Sequence, residues 1–564
     1  MITNLRCKDN RKDDSISISP RSHLLKLRYY LSLSITCILL VSLIWEQVHS
    51  TDTFKSYSHQ KFIIDNFRLD SPIQLKPISS KSITQTEFEN WLDLQFGISK
   101  ERLLHNIFSD NGTMVAGTSN EHPNYYFQWT RDSAITMNTV VNEFRDDKTL
   151  LGIILNYISN AYNLQRLDNL SGKFTLEDKF KNLGEPKYNI DNSPYDANWG
   201  RPQNDGPALR IITIVNFLNT IDNSVELNLA ELIKTSKLTN LHFNDEFDLI
   251  NRILYYDLKF LILNFNQPCF DLWEEIYDVH FFTVITQLYA IKLSINLLEH
   301  YQTTFKFIAN NDEGLLNELK STYDNIFKLL FTKDKYINSS KSFIVESPNH
   351  LDERSGLDIA VILGSLITHP IVNNVKDILP FFTPLDSGIL NTLHGLVKTM
   401  TIMYPINHSK INLNAGVALG RYPEDIYDGI GTSEANPWFL ATLTASQLIL
   451  TFINGVKNSE KDIVINYDNY KFWSLIFEQD VEKKSFEFRI PYNSQAFNQT
   501  MTHLFQFSDS FIEVAREHID SRNGEMSEQF NKFTGFLTGA QNLTWSYSSF
   551  MDTYKLRSII AELV

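Results

Sequence analysis

Cysteine is almost missing from this chain. Its 564 residues include three: Cys7, Cys37 and Cys269. Only Cys269 follows the apolar run near the N-terminus, so the region beyond that run can form neither an internal disulfide nor a cysteine zinc cluster. Histidine supplies no metal site either, because His280, His300 and His503 lack ligand spacing. No metal or cofactor is expected. There is no Walker loop, no dinucleotide fingerprint and no Gly-x-Ser-x-Gly elbow. The formal charge is −15 and no dense basic stripe is present, which argues against a nucleic-acid partner. Short repeats and low-complexity stretches are also lacking. What remains is 43% hydrophobic and 21% charged, the balance of a folded globular protein.

The N-terminus has its own organisation. Residues 1–28 are polar and carry Arg6, Lys8, Arg11, Lys12, Arg21, Lys26 and Arg28. Residues 29–45 then run without a charge, long for a signal-peptide core and near the lower limit of about 17–25 residues for a spanning helix. Positive charge ahead of the run predicts a cytosolic tail, with the remainder lumenal or extracellular. The run reads as a signal-anchor or as a signal peptide cleaved after Ser50. The first keeps the protein on a membrane; the second releases it as a secreted or vacuolar protein. Residues 46–86, with Pro72 and Pro77, read as a linker or an arm lying on the main domain. Sequons at Asn111, Asn169, Asn338, Asn407, Asn498 and Asn542 fit an exported glycoprotein.

From residue 87 to 564 the pattern is helical. Phe281, Val284, Ile285, Leu288, Ile291, Ile295 and Leu298 share one 3.6-period face. Helix starts are predicted at Asp132-Ser133, at Pro207 and at Pro437, with further helices over 357–366 and 545–563. Alternating strand patterns are sparse, so the body is predicted to be all-α, with interhelical loops at one end building a site.

Two acidic stretches stand out, Asp271-Leu272-Trp273-Glu274-Glu275 and Glu525-Met526-Ser527-Glu528. Each sets a Glu beside apolar or aromatic neighbours, where its proton affinity can be tuned. Glycoside hydrolysis needs two such carboxyls, one protonated to donate to the leaving oxygen and one ionised. On residues alone, Glu274 and Glu275 could equally be an acidic helix start. Around them, aromatic residues interleave with Arg, Asp and Asn. The motifs are 124–132 with Tyr125, Trp129, Arg131 and Asp132; 199–210 with Trp199; 354–358 with Arg354; 420–425; 436–440; and 543–547 with Trp545. Flat rings stack on sugar faces while charged groups bond the hydroxyl rim. A surface ion pair at Arg131-Asp132, core roles for the Trp residues and an i,i+4 helix pair of Arg354 with Asp358 are the plain alternatives.

These motifs, in this order, resemble fungal glucoamylases, glycoside hydrolase family 15, over 87–564. The most specific are Trp129-Thr130-Arg131-Asp132, Gly200 to Arg210, Asp271 to Glu275 and Ser527-Glu528-Gln529-Phe530. The resemblance implies an (α/α)6 barrel of six inner and six outer helices. It implies an inverting exo-hydrolase that releases β-D-glucose from the non-reducing ends of α-1,4-glucans such as starch, dextrin or glycogen, and cleaves α-1,6 links more slowly. It implies Glu274 as general acid and Glu528 as general base. Tyr125, Trp129, Arg131, Asp132, Trp199, Trp273, Glu275, Arg354 and Trp545 match substrate-binding positions. A monomer with no starch-binding domain after Trp545 is expected, so raw granules should be poor substrates. A glucodextranase-like or trehalase-like specificity, or an inactive glycan-binding barrel, is the alternative.

Overall fold

The structure, a computed structural model, describes residues 74–78, 83–222, 228–371, 377–411, 413–478 and 487–564. The basic tail, the apolar run and most of the expected arm therefore lie outside the described residues. The chain divides into two units, Met1–Ser71 with Lys484–Phe488, and Pro72–Lys483 with Arg489–Val564. Everything below concerns the second. Within it, residues 74–78 run extended, with bridges from Leu75 to Phe477 and from Ile78 to Asn414.

Among the described residues the principal helices are α1 (Gln85–His105), α2 (Thr130–Glu143), α3 (Leu151–Gln165) and α4 (Asp205–Asp222). Then follow α5 (Tyr255–Asn264), α6 (Phe281–Phe305), α7 (Leu315–Leu330) and α8 (Ile359–Thr368). The last four are α9 (Ser387–Met403), α10 (Phe439–Ser459), α11 (Gln495–His518) and α12 (Thr544–Ala561). The even-numbered helices pack each on the next, and α12 closes the ring on α2. Each odd-numbered helix lies outside one of these: α1 on α12, α3 on α2, α5 on α4, α7 on α6, α9 on α8 and α11 on α10. This is the (α/α)6 barrel of six inner and six outer helices.

Hydrophobicity sorts the two rings. Inner helices α6 and α10 are buried on nearly every side, as all-round apolar helices must be. Both are long and apolar enough to cross a membrane, yet most of each is enclosed by the barrel. The periodic face from Phe281 to Leu298 is thus buried except at the half-buried Ile295, and Phe282 and Thr283 beside it are buried too. Outer helix α7 instead buries one stripe: Leu315, Leu319, Thr322, Ile326 and Leu330. Helix α1 starts on a capping box, in which Thr84 Oγ1 accepts from Glu87 N and Glu87 Oε2 accepts from Thr84 N.

Helix starts shift slightly from expectation. Helix α2 begins at Thr130, not at Asp132-Ser133, because Gln128–Trp129 (β1) pairs with Lys187–Tyr188 (β2) and ends the extended backbone there. Helix α4 begins at Asp205 and α10 at Phe439, near Pro207 and Pro437. The larger correction concerns Glu274 and Glu275, which are not on a helix. They lie in a turn between Cys269–Phe270 (β3) and Tyr277–Asp278 (β4), closed by Glu274 N on Asp271 O at 2.9 Å and Asp271 N on Ile276 O at 2.9 Å. Glu274 has φ +68°, where a side chain is rarely tolerated.

Candidate active site

All six inner helices begin at one end of the barrel. The loops feeding them surround a cavity of about 530 Å³. Tyr125, Trp129, Arg131, Asp132, Trp199, Trp273, Glu274, Glu275, Glu528 and Trp545 all line it. Of the predicted site residues, only Arg354 is absent from the wall. It acts from behind through Glu275.

The Glu274 carboxyl is held by one oxygen. Trp129 Nε1 donates to Oε1 at 2.7 Å, Gln203 Nε2 at 3.0 Å and Arg131 Nη2 at 3.4 Å. Three donors on Oε1 leave Oε2 as the oxygen able to carry a proton. The turn needs Gly200 beside it, since a Cβ there would stand 3.0 Å from Glu274 O and 3.2 Å from the Phe270 ring. Arg131 also donates to Gln203 Oε1 at 2.7 Å and pairs with Asp132 at 3.3 Å and Asp205 at 3.4 Å. It is buried, so the plain surface-pair alternative does not hold. Burial pushes the Asp132 carboxyl up to about 6 against the pull of Arg131.

Glu275 points to a different job. Arg354 Nη2 donates to it at 2.5 Å, Arg421 Nη2 at 2.8 Å, and the Tyr422 hydroxyl also donates. Burial works to raise its pKa, but Arg421, Tyr422 and Arg354 outweigh that and hold it below the usual carboxylate value. Arg421 is itself locked by Asp425 at 2.7 and 2.6 Å. Trp273 Nε1 donates to both Asp358 oxygens at 3.1 Å, and Asp358 Oδ1 accepts from Ala360 N at 2.8 Å as the N-cap of α8. Asp358 is thus a cap and a Trp anchor. The i,i+4 helix pair with Arg354 does not form, because Arg354 precedes the helix.

Glu528 stands just before Gln529–Phe530 (β5), which pairs with Leu537–Thr538 (β6). It is 0% exposed. Tyr427 donates to Oε2 at 3.1 Å, and the Tyr125 hydroxyl lies 3.2 Å from that of Tyr427. Among the described residues Oε1 has no hydrogen-bond partner. Burial pushes this carboxyl up to about 7, against the hydrogen bonds and the Arg421 charge. Gly539, φ +74°, is obligatory here, because a Cβ would fall 2.4 Å from Glu528 Oε2.

Sequence reading missed several wall groups. Arg421 and Trp438 fall in the motifs 420–425 and 436–440 but were assigned no role. Gln203, which stands behind the wall on Glu274, falls in the motif 199–210 but was likewise assigned no role, and Tyr427 carried no local signal. Lys187 is the least legible. Its Nζ sits 3.6 Å from the Trp199 ring centre, 4.1 Å from Phe127, 4.3 Å from Tyr195 and 4.4 Å from Trp129. Burial lowers it to about 8 while Glu274 opposes the fall. Such an ammonium on ring faces is a cation–π cage, built only when β1 and β2 pair. Among the described residues no cluster of His, Cys, Asp or Glu could hold a metal ion.

Comparison with known proteins bears on this site. The chain is 37% identical over 490 residues to the intracellular sporulation-specific glucoamylase of Saccharomyces cerevisiae, covering 84% of this chain and 85% of that one. It is 36% identical over 507 residues to glucoamylase GLU1 of Saccharomycopsis fibuligera, covering 86% and 93%. The solved glucoamylase from Saccharomycopsis fibuligera superposes with TM-score 0.77 at 35% identity, over 89% of this chain and 100% of that one. The family 15 glucoamylase from Hypocrea jecorina gives 0.71 at 26% identity, over 84% and 73%. Fold and relatives together make the molecule a hydrolase of glycosidic bonds. Residues 97–555 match the family described as Glycosyl hydrolases family 15, and the chain belongs to it.

Proposed function

We propose that Glu274 and Glu528 carry an inverting hydrolysis in this enzyme. The reaction is the family's own: exo-acting release of glucose from α-glucans, a glucan 1,4-α-glucosidase activity. One observation supports the assignment, the unequal dressing of the two carboxyls. Among the described residues Glu274 has three donors on Oε1 and none on Oε2. Glu528 keeps Oε1 bare of protein partners at the cavity wall.

In this reading Glu274 Oε2 gives its proton to the glycosidic oxygen as the C–O bond breaks. Glu528 Oε1 takes a proton from a water that attacks the anomeric carbon from the opposite face, and the product is β-glucose. Inversion of this kind needs carboxyls about 6.5–9.5 Å apart. Glu275, Arg131, Asp132 and Arg354 grip or brace the terminal sugar, and Trp129, Trp199, Trp273, Trp545 and Tyr125 supply ring faces. Proton NMR of fresh product from an α-linked substrate tests it. β-Glucose is expected before mutarotation, and initial α-glucose overturns the assignment. Rates on maltose, isomaltose, trehalose and glycogen fix the specificity within the family.

The apolar run 29–45 supports delivery to the secretory side, anchored or cleaved, although one relative is named as intracellular. The mature N-terminus decides between anchor and signal peptide. If the chain is exported, the exposed Asn111 and Asn498 and the half-buried Asn338 are the accessible sequons, while Asn169 spends its amide on Asn182 O at 2.9 Å. Asn407 and Asn542 spend their amides internally, on Met400 O and Ala418 O at 3.0 and 2.9 Å, and on Thr118 at 3.1 Å.

A further inference from the structure

A second cavity, about 940 Å³, lies against α9 and the loops around Ser355 and Glu424. Its wall carries Lys76, Lys341, Lys398 and Lys471. No described carboxylate forms an ion pair with any of the four. Lys471 Nζ donates to Ser342 Oγ at 2.8 Å and Lys76 Nζ to Ser474 O, both neutral acceptors. Four ammonium groups around one hollow, in a chain of net charge −15, are a local concentration of like charge.

Glu424 and Glu478 on the same wall offset half of this charge and leave a surplus of two positive charges. Glu424 is occupied by Ser355, accepting from its N at 3.1 Å and its Oγ at 3.3 Å. Glu478 acts on Lys76 at longer range, where Lys398 opposes it. His394 also lines the hollow and makes no hydrogen bond to the described protein. Burial first, then Lys398, Lys471 and Lys76, push it down to about 4, so it is neutral at physiological pH. Neutral imidazole offers one donor and one acceptor. Phe343 and Tyr470 add rings of the kind that stack on sugar C–H groups, with the buried Phe477, stacked on Trp473, behind them.

We propose that this hollow binds a phosphate monoester dianion carried on a sugar, with Lys398, Lys471 and Lys76 on the phosphate and the aromatic wall on the ring. Two charges on the ligand answer the surplus of ammonium groups, and three acceptor oxygens suit several donors at once. The hollow is separate from the catalytic cavity but shares a partition with it. Ser355 and Glu424, which are bonded to each other, adjoin in sequence or nearly so Arg354 and Tyr422, which hold Glu275.

The test is calorimetric titration of the full-length enzyme with glucose 6-phosphate, glucose, inorganic phosphate and a phosphorylated dextrin. Glucose 6-phosphate should bind saturably at one site, more tightly than either glucose or inorganic phosphate. The Lys398→Gln/Lys471→Gln variant should lose about tenfold or more of that affinity, as expected for charge-assisted bonds. Its kcat on maltose and its thermal midpoint should stay at wild-type values. Tighter binding of the phosphorylated dextrin than of glucose 6-phosphate identifies a glucan-borne ester; the reverse identifies a free sugar phosphate. Equal affinity of wild type and variant, no binding at all, or displacement of glucose 6-phosphate by maltose would each overturn the proposal.

Discussion

Glu528 Oε2 accepts from the Tyr427 hydroxyl, and the Tyr125 hydroxyl also helps to hold the carboxyl ionised. Tyr427→Phe removes a bond that favours the ionised carboxylate. The Glu528 pKa should rise, and the acidic limb of kcat/KM, which reports the free enzyme's base, should move to higher pH. An unmoved limb would detach Tyr427 from the base. Glu528→Gln should lower kcat by the ~10²–10⁴ typical of general acid–base catalysis. The adjacent carboxyls should separate kinetically. Glu274→Gln should damage kcat by removing the proton donor. Glu275→Gln should raise KM relatively more, because two guanidinium groups lose their shared counter-charge. The reverse pattern in steady-state kinetics would mean that the acid has been assigned to the wrong member of the pair.

At the scale of elements, the site is made of turns rather than helices. Gly539→Ala combines φ +74° with a Cβ 2.4 Å from Glu528 Oε2. It should lower kcat sharply even where circular dichroism still shows the folded barrel, and wild-type kcat would contradict this geometry. The same turns explain what was legible in the sequence. Trp129, Arg131, Trp273 and Trp545 could be found because they interrupt helical periodicity with aromatic and charged residues in fixed order. The helices themselves were legible from apolar spacing, though α2 starts two residues early because strand pairing, a nonlocal event, sets its end. Lys187 could not be found. Its neighbours Glu185, Pro186 and Tyr188 say nothing of the Trp199, Trp129, Phe127 and Tyr195 faces that enclose it. Nor could Tyr427, whose role exists only once its loop meets β5. Glu274 was legible as a residue but not as a left-handed turn position.

For the whole molecule, several carboxyls are buried in neutral-favouring surroundings. Asp552 lies at the barrel end away from the catalytic loops, accepts from Thr139 at 2.8 Å, and is pushed by burial up to about 7. An unfolded Asp titrates at roughly 4. Between those values the folded state holds a proton that the unfolded state releases, so stability falls as pH rises through that window. Glu528, raised to about 7, and Asp358, raised to about 8, act in the same direction. His394, His503 and His518, lowered by burial to about 4, act the other way up to the unfolded His value of roughly 6.5, so thermal midpoints should drop from pH 7 to pH 8. Asp552→Asn, which mimics the protonated acid, should make the drop shallower, and an unchanged slope in calorimetry would contradict the assignment.

Between its two ends the inner ring is packed solid, with Met137, Ile214, Leu288, Ile362 and Leu443 all at 0% exposure, and the hollow of about 200 Å³ at the other end, beside Asp552, is cut off from the catalytic one. The catalytic cavity is lined only by the loops and first turns at one end. It is a room with one doorway. A glucan cannot thread through it, and each freed glucose must leave by the opening that the shortened chain also uses. The enzyme is therefore a device for single bites, in which every departure delays the next arrival. Glucose added at the start of an assay should compete at that doorway, raising the apparent KM and leaving kcat where it was.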